Sequence, residues 1–433
     1  MKKVRQKATP LKGTIRWDKL DNTAHLFPAI AGESMTNIYR ISVTLTEEIQ
    51  PDLLQQALDI VLPKFDGFNL RLRRGVFWFY FEENGKPAPK VKEENTFPCR
   101  YIKANRNRSY LFQVSYYGKR INLEVFHVLT DGMGGLNFIR ELTYQYLRLV
   151  HPQLKDIAGD TLSESTSLNR EDSFIKNYKR SKPSGFKTEK AYLIKKDKLP
   201  EGEFGVIHGR IPVSQLKEIC HRYGVSINEY LVADFIWSTY VECLHRMVEK
   251  RPIRVAVPVN LRPYFESVTT KNFFVMVSAE FKADREDYTF PEVVEIVKNS
   301  LRSQINKEHL EDLFSYSVSN QKNKWMRPIP LFLKNIAMRV VYSKSATANT
   351  ATVTNVGNIT IEDAYKPYID IFHAFIPMSK GQSMKGTIVS YEDTLVFTFS
   401  SLFAHASVQR RFFTTIAEDG ADVKIETNGV YYE

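Results

Sequence analysis

Apolar and polar positions along this chain switch between two periods. Residues 38–46 alternate, as do residues 110–117 and 120–126, so each segment predicts a strand. Gly118-Lys119 separates the last two and predicts a hairpin. Residues 51–65 follow the helical period, and residues 75–82 read as a strongly aromatic strand. Leu136, Ile139, Leu142, Tyr146 and Leu149 recur with helical spacing and predict a helix that ends near Val150.

The second half repeats the mixture. Helices are predicted over 213–223, 227–248, 290–307 and 407–419. Strands are predicted over 254–258, 273–282, 350–361, 368–375, 385–391 and 395–402. Between the halves, residues 151–200 are rich in Ser, Thr, Asp and Lys, with Lys182-Pro183-Ser184-Gly185 in the middle. The organisation expected is an N-terminal lobe over 1–160, a linker or crossover over 161–204, and a C-terminal lobe over 205–433. Strands and helices mixed in both halves indicate α+β lobes.

The segment Phe126-His127-Val128-Leu129-Thr130-Asp131-Gly132-Met133-Gly134-Gly135 carries the candidate chemistry. Ile121, Leu123 and Val125 point one way along the strand and deliver His127 to the apolar side. Imidazole titrates near neutral pH, so a buried neutral histidine suits general base work on a hydroxyl or amine. Asp131 could touch that ring, or it could pin the turn by pairing with an arginine; the second role is favoured. The plain alternative is a hydrogen-bonded core histidine. On it, Asp131 caps the helix and Gly132, Gly134 and Gly135 serve only the backbone.

The same segment resembles the His-x-x-x-Asp-Gly signature of the CoA-dependent acyltransferase superfamily. That superfamily includes chloramphenicol acetyltransferase, peptide-synthetase condensation domains, plant hydroxycinnamoyl-type acyltransferases and alcohol acetyltransferases. Further resemblances follow in the matching order. They are residues 51–65 with Asn69-Leu70-Arg71-Leu72, then Ser226-Ile227-Asn228-Glu229-Tyr230-Leu231-Val232-Ala233 and Val257-Pro258-Val259-Asn260-Leu261-Arg262. Asn272-Phe273-Phe274 and Thr354-Asn355-Val356-Gly357 complete the series.

The resemblance implies an α+β chain of two chloramphenicol-acetyltransferase-like lobes, each a mixed sheet with flanking helices, and an active-site tunnel between them. It implies acyl transfer from a thioester, acyl-CoA being the expected co-substrate, to a small hydroxyl or amine acceptor. His127 would be the general base. Asp131, Gly132 and Arg262 would be structural beside it, with Asp131 pairing to Arg262. Thr354 and Asn355 would form the oxyanion or acceptor wall. No permanently bound cofactor and no acyl-enzyme are expected.

Two departures narrow the branch. Condensation domains usually carry two adjacent histidines, where Phe126 stands here, and the plant-type Asp-Phe-Gly-Trp-Gly element is missing. The alcohol acetyltransferase branch fits best. The alternatives are a carrier-protein-dependent, condensation-like acyltransferase of lipid or secondary-metabolite synthesis, and a non-catalytic homologue that binds acyl chains or a carrier protein.

Composition adds constraints. A length of 433 residues suggests more than one lobe, and 43% hydrophobic with 25% charged residues is ordinary for a globular protein. No run of about twenty apolar residues occurs, and the basic start MKKVRQKATPLKG has no apolar run after it. Cys99, Cys220 and Cys243 suggest neither a disulfide framework nor a metal site, and fit a cytoplasmic location. No metal-binding spacing is present, so no metal is expected.

The net charge of +11 suits an anionic co-substrate such as coenzyme A, and equally an acidic acyl carrier protein or an anionic membrane surface. Its lysines and arginines are dispersed and no nucleic-acid motif accompanies them, so nucleic acid is not expected as a partner. Residues 330–342 (PLFLKNIAMRVVY) are apolar with Lys334 and Arg339 among them. Such a helix can lie at a membrane interface, though the commoner outcome is packing on a protein core or lining a substrate pocket. Both walls of the site lie in one chain, so a monomer suffices.

Overall fold

The computed structural model describes residues 17–157, 171–179 and 189–431. The basic N-terminal segment and Lys182-Pro183-Ser184-Gly185 lie outside the described residues. The described chain is α+β, with two hydrophobic cores, each built mainly on one sheet, the first also taking in Val206, Val389, Tyr391 and Val396 of the second sheet.

The first core surrounds a five-stranded sheet in the order β12-β2-β7-β6-β5. Here β2 is Ile38–Leu45, β5 Lys92–Glu93, β6 Phe112–Tyr117, β7 Arg120–Phe126 and β12 Ile369–Phe375. The β6–β7 hairpin turns in two residues, with Tyr117 opposite Arg120 and Gly118 at φ +53°. Both faces of β7 are covered, so its polar residues find buried partners. Asn122 accepts from Ser42, and Glu124 pairs with Arg40 at 2.7 Å.

Two helices cover this sheet. Pro51–Val61 begins on a proline and buries Leu54, Ala57, Leu58 and Val61 on one face. It packs on Gly132–Val150. The aromatic run expected as a strand over 75–82 divides in two. Residues 79–83 form β4, paired to β3 (Leu70–Arg74) and β1 (Trp17–Lys19). Residues 75–78 instead make the hairpin tip, closed by a bond from Gly75 N–H to the Trp78 carbonyl.

The second core surrounds a seven-stranded mixed sheet ordered β10-β9-β11-β13-β14-β8-β15. Its strands are β8 Gly205–Pro212, β9 Ile253–Asn260, β10 Phe274–Phe281, β11 Ala351–Ile359, β13 Met384–Tyr391, β14 Thr394–Ser401 and β15 Lys424–Thr427. Within this sheet only the β11–β13 and β11–β9 pairs are parallel. Strand β11 pairs with β9 only at Ala351 and Thr352 and then parts from it.

Helices Ile227–Leu244, Phe290–Gln304 and Ser407–Glu418 pack together over this sheet. A Ser226/Glu229 capping box starts the first of them. That helix was expected to run to residue 248. It ends at Leu244 because His245 and Arg246 take positive φ, which an α-helix cannot accommodate.

The chain does not keep its halves apart. Strand β12, near residue 370, pairs antiparallel with β2 and closes one side of the N-terminal sheet. It also packs beside β13 and β14 of the other sheet. No helix among the described residues is long and apolar enough to cross a membrane.

Candidate functional site

His127 follows directly on the end of β7, where its backbone N–H donates to the Asn37 carbonyl at 3.0 Å. Asn37 sits at φ +53°, which lets the chain entering β2 turn beneath the histidine. The ring is enclosed by aromatic side chains. Phe27 stacks on it at 4.7 Å, Tyr39 meets it edge-on at 5.1 Å, and Phe274 lies tilted at 5.7 Å. His127 nevertheless remains only half-buried.

The ring is oriented from the other lobe. Nδ1 of His127 lies 3.0 Å from Oδ1 of Asn272, on the loop that leads from β9 into β10. The Asn272 amide N–H groups donate to the Asp21 carboxylate at 2.9 Å and to the His127 carbonyl at 3.2 Å. Both are acceptors, which fixes Oδ1 as the acceptor atom of Asn272. His127 must then donate from Nδ1 and carry its lone pair on Nε2. Nε2 has no hydrogen-bond partner among the described residues.

Burial holds the imidazole below its usual pKa, against the opposing pull of the Asp131 charge and the Asn272 bond. Asp21 closes the chain His127–Asn272–Asp21. It accepts from the backbone N–H of Ala24 and of Asn272, and burial raises its pKa to about 6.

Asp131 does not orient the ring. It is the N-cap of Gly132–Val150, and its carboxylate forms a bidentate ion pair with Arg262, at 2.8 and 3.1 Å. The Phe273 N–H donates to the same carboxylate at 3.2 Å. Arg262 in turn donates to the carbonyls of Thr269 and Lys271. The Thr130 hydroxyl donates to the Thr270 carbonyl at 2.7 Å. One loop of the C-terminal half thus grips the histidine turn at four points: Arg262, the Thr270 carbonyl, Asn272 and the Phe273 N–H.

Close packing explains two glycines. A Cβ on Gly134 would lie 1.9 Å from Oγ1 of Thr130, and one on Gly135 would lie 2.6 Å from the Tyr39 hydroxyl oxygen. Gly132 differs, since a Cβ there would meet nothing within 4 Å.

Thr354 and Asn355 lie on β11, where it pairs with β13. The Asn355 side chain accepts from the Gly357 N–H at 2.8 Å and shapes a bulge, and neither residue hydrogen-bonds to His127 or Asp131.

Sequence reasoning noted Asn272 only as part of a strand opening and passed over Asp21 and Lys385. Lys385 on β13 is buried, donates to the Ser379 hydroxyl, and has its pKa lowered to about 7 by burial. It is near enough to bear on the charge of both His127 and Cys99. Only Asn272 offered a signal, through the strand opening Asn272-Phe273-Phe274; a lysine inside an apolar strand offers none. The described residues hold no cluster of side chains that could ligate a metal.

No protein-family model matches the chain, and a search of curated proteins gives no match. Comparison with solved structures does. TRI101 of F. sporotrichioides, complexed with coenzyme A and T-2, aligns over 95% of this chain and 99% of its own at 11% identity, with a TM-score of 0.62. The trichothecene 15-O-acetyltransferase TRI3 of Fusarium sporotrichioides aligns over 95% and 97% at 12% identity, TM-score 0.60. The condensation domain of the monacolin K polyketide synthase MokA aligns over 94% and 97% at 10% identity, TM-score 0.59. At such identities the likeness is one of fold, and it covers nearly the whole of each chain. This chain has the two-lobed, chloramphenicol-acetyltransferase-like fold shared by CoA-dependent acyltransferases and condensation domains.

Proposed function

We propose that the protein is an acyltransferase that moves an acyl group from a thioester, acyl-CoA first among donors, to a hydroxyl or amine acceptor. The observation that carries this reading is the neutral His127 ring, protonated at Nδ1 toward Asn272 and offering Nε2 as a base. The fold supports it, and one solved neighbour was crystallised with coenzyme A.

In the proposed reaction Nε2 takes the proton of the acceptor O–H or N–H as that atom attacks the thioester carbonyl. The tetrahedral intermediate collapses, the C–S bond breaks, and the proton on Nε2 passes to the departing thiolate. Asp131 and Arg262 are positioning residues that hold the turn. Thr354 and Asn355 are candidates for the wall opposite the base, and the space between the lobes is the candidate tunnel.

Transfer is direct. Cys99 is buried with its thiol pushed far up, and burial pushes Cys220 to about 12 and Cys243 to about 11. None therefore offers a ready thiolate. The boundaries 1–160, 161–204 and 205–433 remain the proposed division into lobes and linker, with β12 lent back to the first.

The test is free-thiol release from acetyl-CoA and longer acyl-CoAs against a panel of alcohols and amines. Release should need the acceptor and should fall by about 10²–10⁴-fold in His127→Ala, with the fold intact. Trapping of an acylated protein would overturn direct transfer. Release from acyl carrier donors alone would assign the donor to a carrier protein.

A further inference from the structure

The helix Leu331–Ser345 is turned inside out. Its exposed face carries Leu333, Ile336, Ala337, Val340 and Val341, and its only buried residue is Leu331. Polar side chains hold it to the body. Arg339 donates to the Ala29 carbonyl at 2.6 Å, and Lys334 donates to the carbonyls of Phe77 and Arg327. The ordinary arrangement of a surface helix is the reverse.

Two neighbouring turns extend the apolar surface. The Leu331 N–H donates to the Val76 carbonyl, which fastens the 75–78 hairpin tip to the start of the helix. Trp78 of that tip is exposed and lies under the Lys334 ammonium at 5.6 Å. Through its bond to the Arg327 carbonyl, Lys334 also ties in the turn Lys324–Met326, whose Trp325 projects with 85% of its surface exposed. Separate exposed apolar residues are unremarkable, but a continuous patch fastened together from three segments marks a contact surface.

Charge indicates what the patch meets. Arg74, Lys324, Arg327 and Lys344 are exposed along its margin. Between Asp312 and Glu362 the chain has six lysines and arginines and no acidic residue. Projecting tryptophans, an outward aliphatic face and a basic border together match the interface of an anionic bilayer.

We propose that this surface, made by Trp78, Trp325, Leu333, Ile336, Val340 and Val341, docks the protein on an anionic lipid membrane. The helix packs on Leu26–Ile30, whose Phe27 stacks on His127, so docking sets the histidine one helix away from the lipid. The binding itself does not depend on the chemistry at His127.

The experiment is co-sedimentation of the full chain with vesicles of phosphatidylcholine alone and of phosphatidylcholine with phosphatidylserine. It is run on the wild type, His127→Ala, Trp325→Ala and the pair Ile336→Ser with Val340→Ser. All the substituted apolar side chains are exposed, and melting curves check that each variant is folded.

The wild type and His127→Ala should bind the phosphatidylserine vesicles alike, and less as salt rises. The Trp325 variant should bind more weakly, and the paired variant should lose about tenfold or more. Absence of sedimentation, or equal binding by the paired variant, would overturn the proposal. So would binding of an acyl carrier protein, in place of vesicles, that the same substitutions abolish.

Discussion

Asn272 and His127 stand on opposite lobes and meet at 3.0 Å, with the amide oxygen of the one accepting from Nδ1 of the other. The contact sets the tautomer and leaves Nε2 as the basic atom. Asn272→Ala should lower kcat by about 10- to 100-fold with little change in KM, because the base remains but is no longer held. The Asn272 bond favours the protonated ring, so its loss in Asn272→Ala should also move the acid limb of the kcat/KM profile to lower pH. An unmoved limb would show that Asn272 serves folding alone.

The acid limb of the wild type has a predicted side. Burial lowers the His127 pKa from the ordinary 6.5 and so favours the unprotonated base at neutral pH. The acid limb should be centred below pH 6.5. A limb centred above that value would assign the titration to another group.

The Asp131–Arg262 pair is largely shielded from solvent, and both partners make further bonds. Arg262→Ala strands a carboxylate in that setting and should cost about 3–5 kcal/mol. Asp131→Asn keeps the shape and part of the hydrogen bonding, so it should cost less. Denaturant melts of the two variants and the double variant measure the coupling; additive losses would mean that the pair is not a unit.

Lys385 should make the fold more stable as pH rises. Its folded pKa is about 7 against an unfolded value near 10.5, so between these values the unfolded chain binds the extra proton. The cost of burying it is therefore absent above about pH 10.5, grows as pH falls toward 7, and is constant below that. Lys385→Met should raise stability at pH 7 by about 2 kcal/mol and flatten this slope. Melts at pH 7 and pH 9 test both points.

Gly132 and Gly135 offer a paired control. Gly135→Ala drives a methyl against the Tyr39 hydroxyl, whose ring packs edge-on against His127, so activity and about 1–3 kcal/mol of stability should be lost. Gly132→Ala meets open space and should leave both nearly intact. Equal effects would place the requirement for glycine in the backbone instead.

Much of this architecture was readable from hydrophobic period alone. The β6–β7 hairpin, the capped helix at Ile227 and the run of strands from β11 to β14 follow from local rules, with ends displaced by a few residues. The meeting of Asp131 and Arg262 at 2.8 Å was expected only through the family resemblance, in which the motif aspartate pairs with an arginine. Asn272 was harder. An amide is neutral and common, and its role depends on the Asp21 and His127 carbonyl acceptors occupying its N–H groups. Pairing of β12 with β2 was not legible, since period reports which face a strand buries and not which distant strand lies beside it. The aliphatic residues of Leu331–Ser345 were visible, but their outward direction is set by the bonds that Lys334 and Arg339 make.

The loan of β12 has a consequence for the order in which the molecule can be made. On the ribosome, β2 emerges more than three hundred residues before the strand that covers its outer edge. Until then the N-terminal sheet has an open row of unpaired N–H and C=O groups, the kind of edge on which chains aggregate. Folding therefore cannot finish lobe by lobe as the chain emerges, and a gene cut at the linker would yield a first half with that edge uncovered. A fragment of residues 1–160 should be recovered soluble only when residues 205–433 are co-expressed to supply the missing strand.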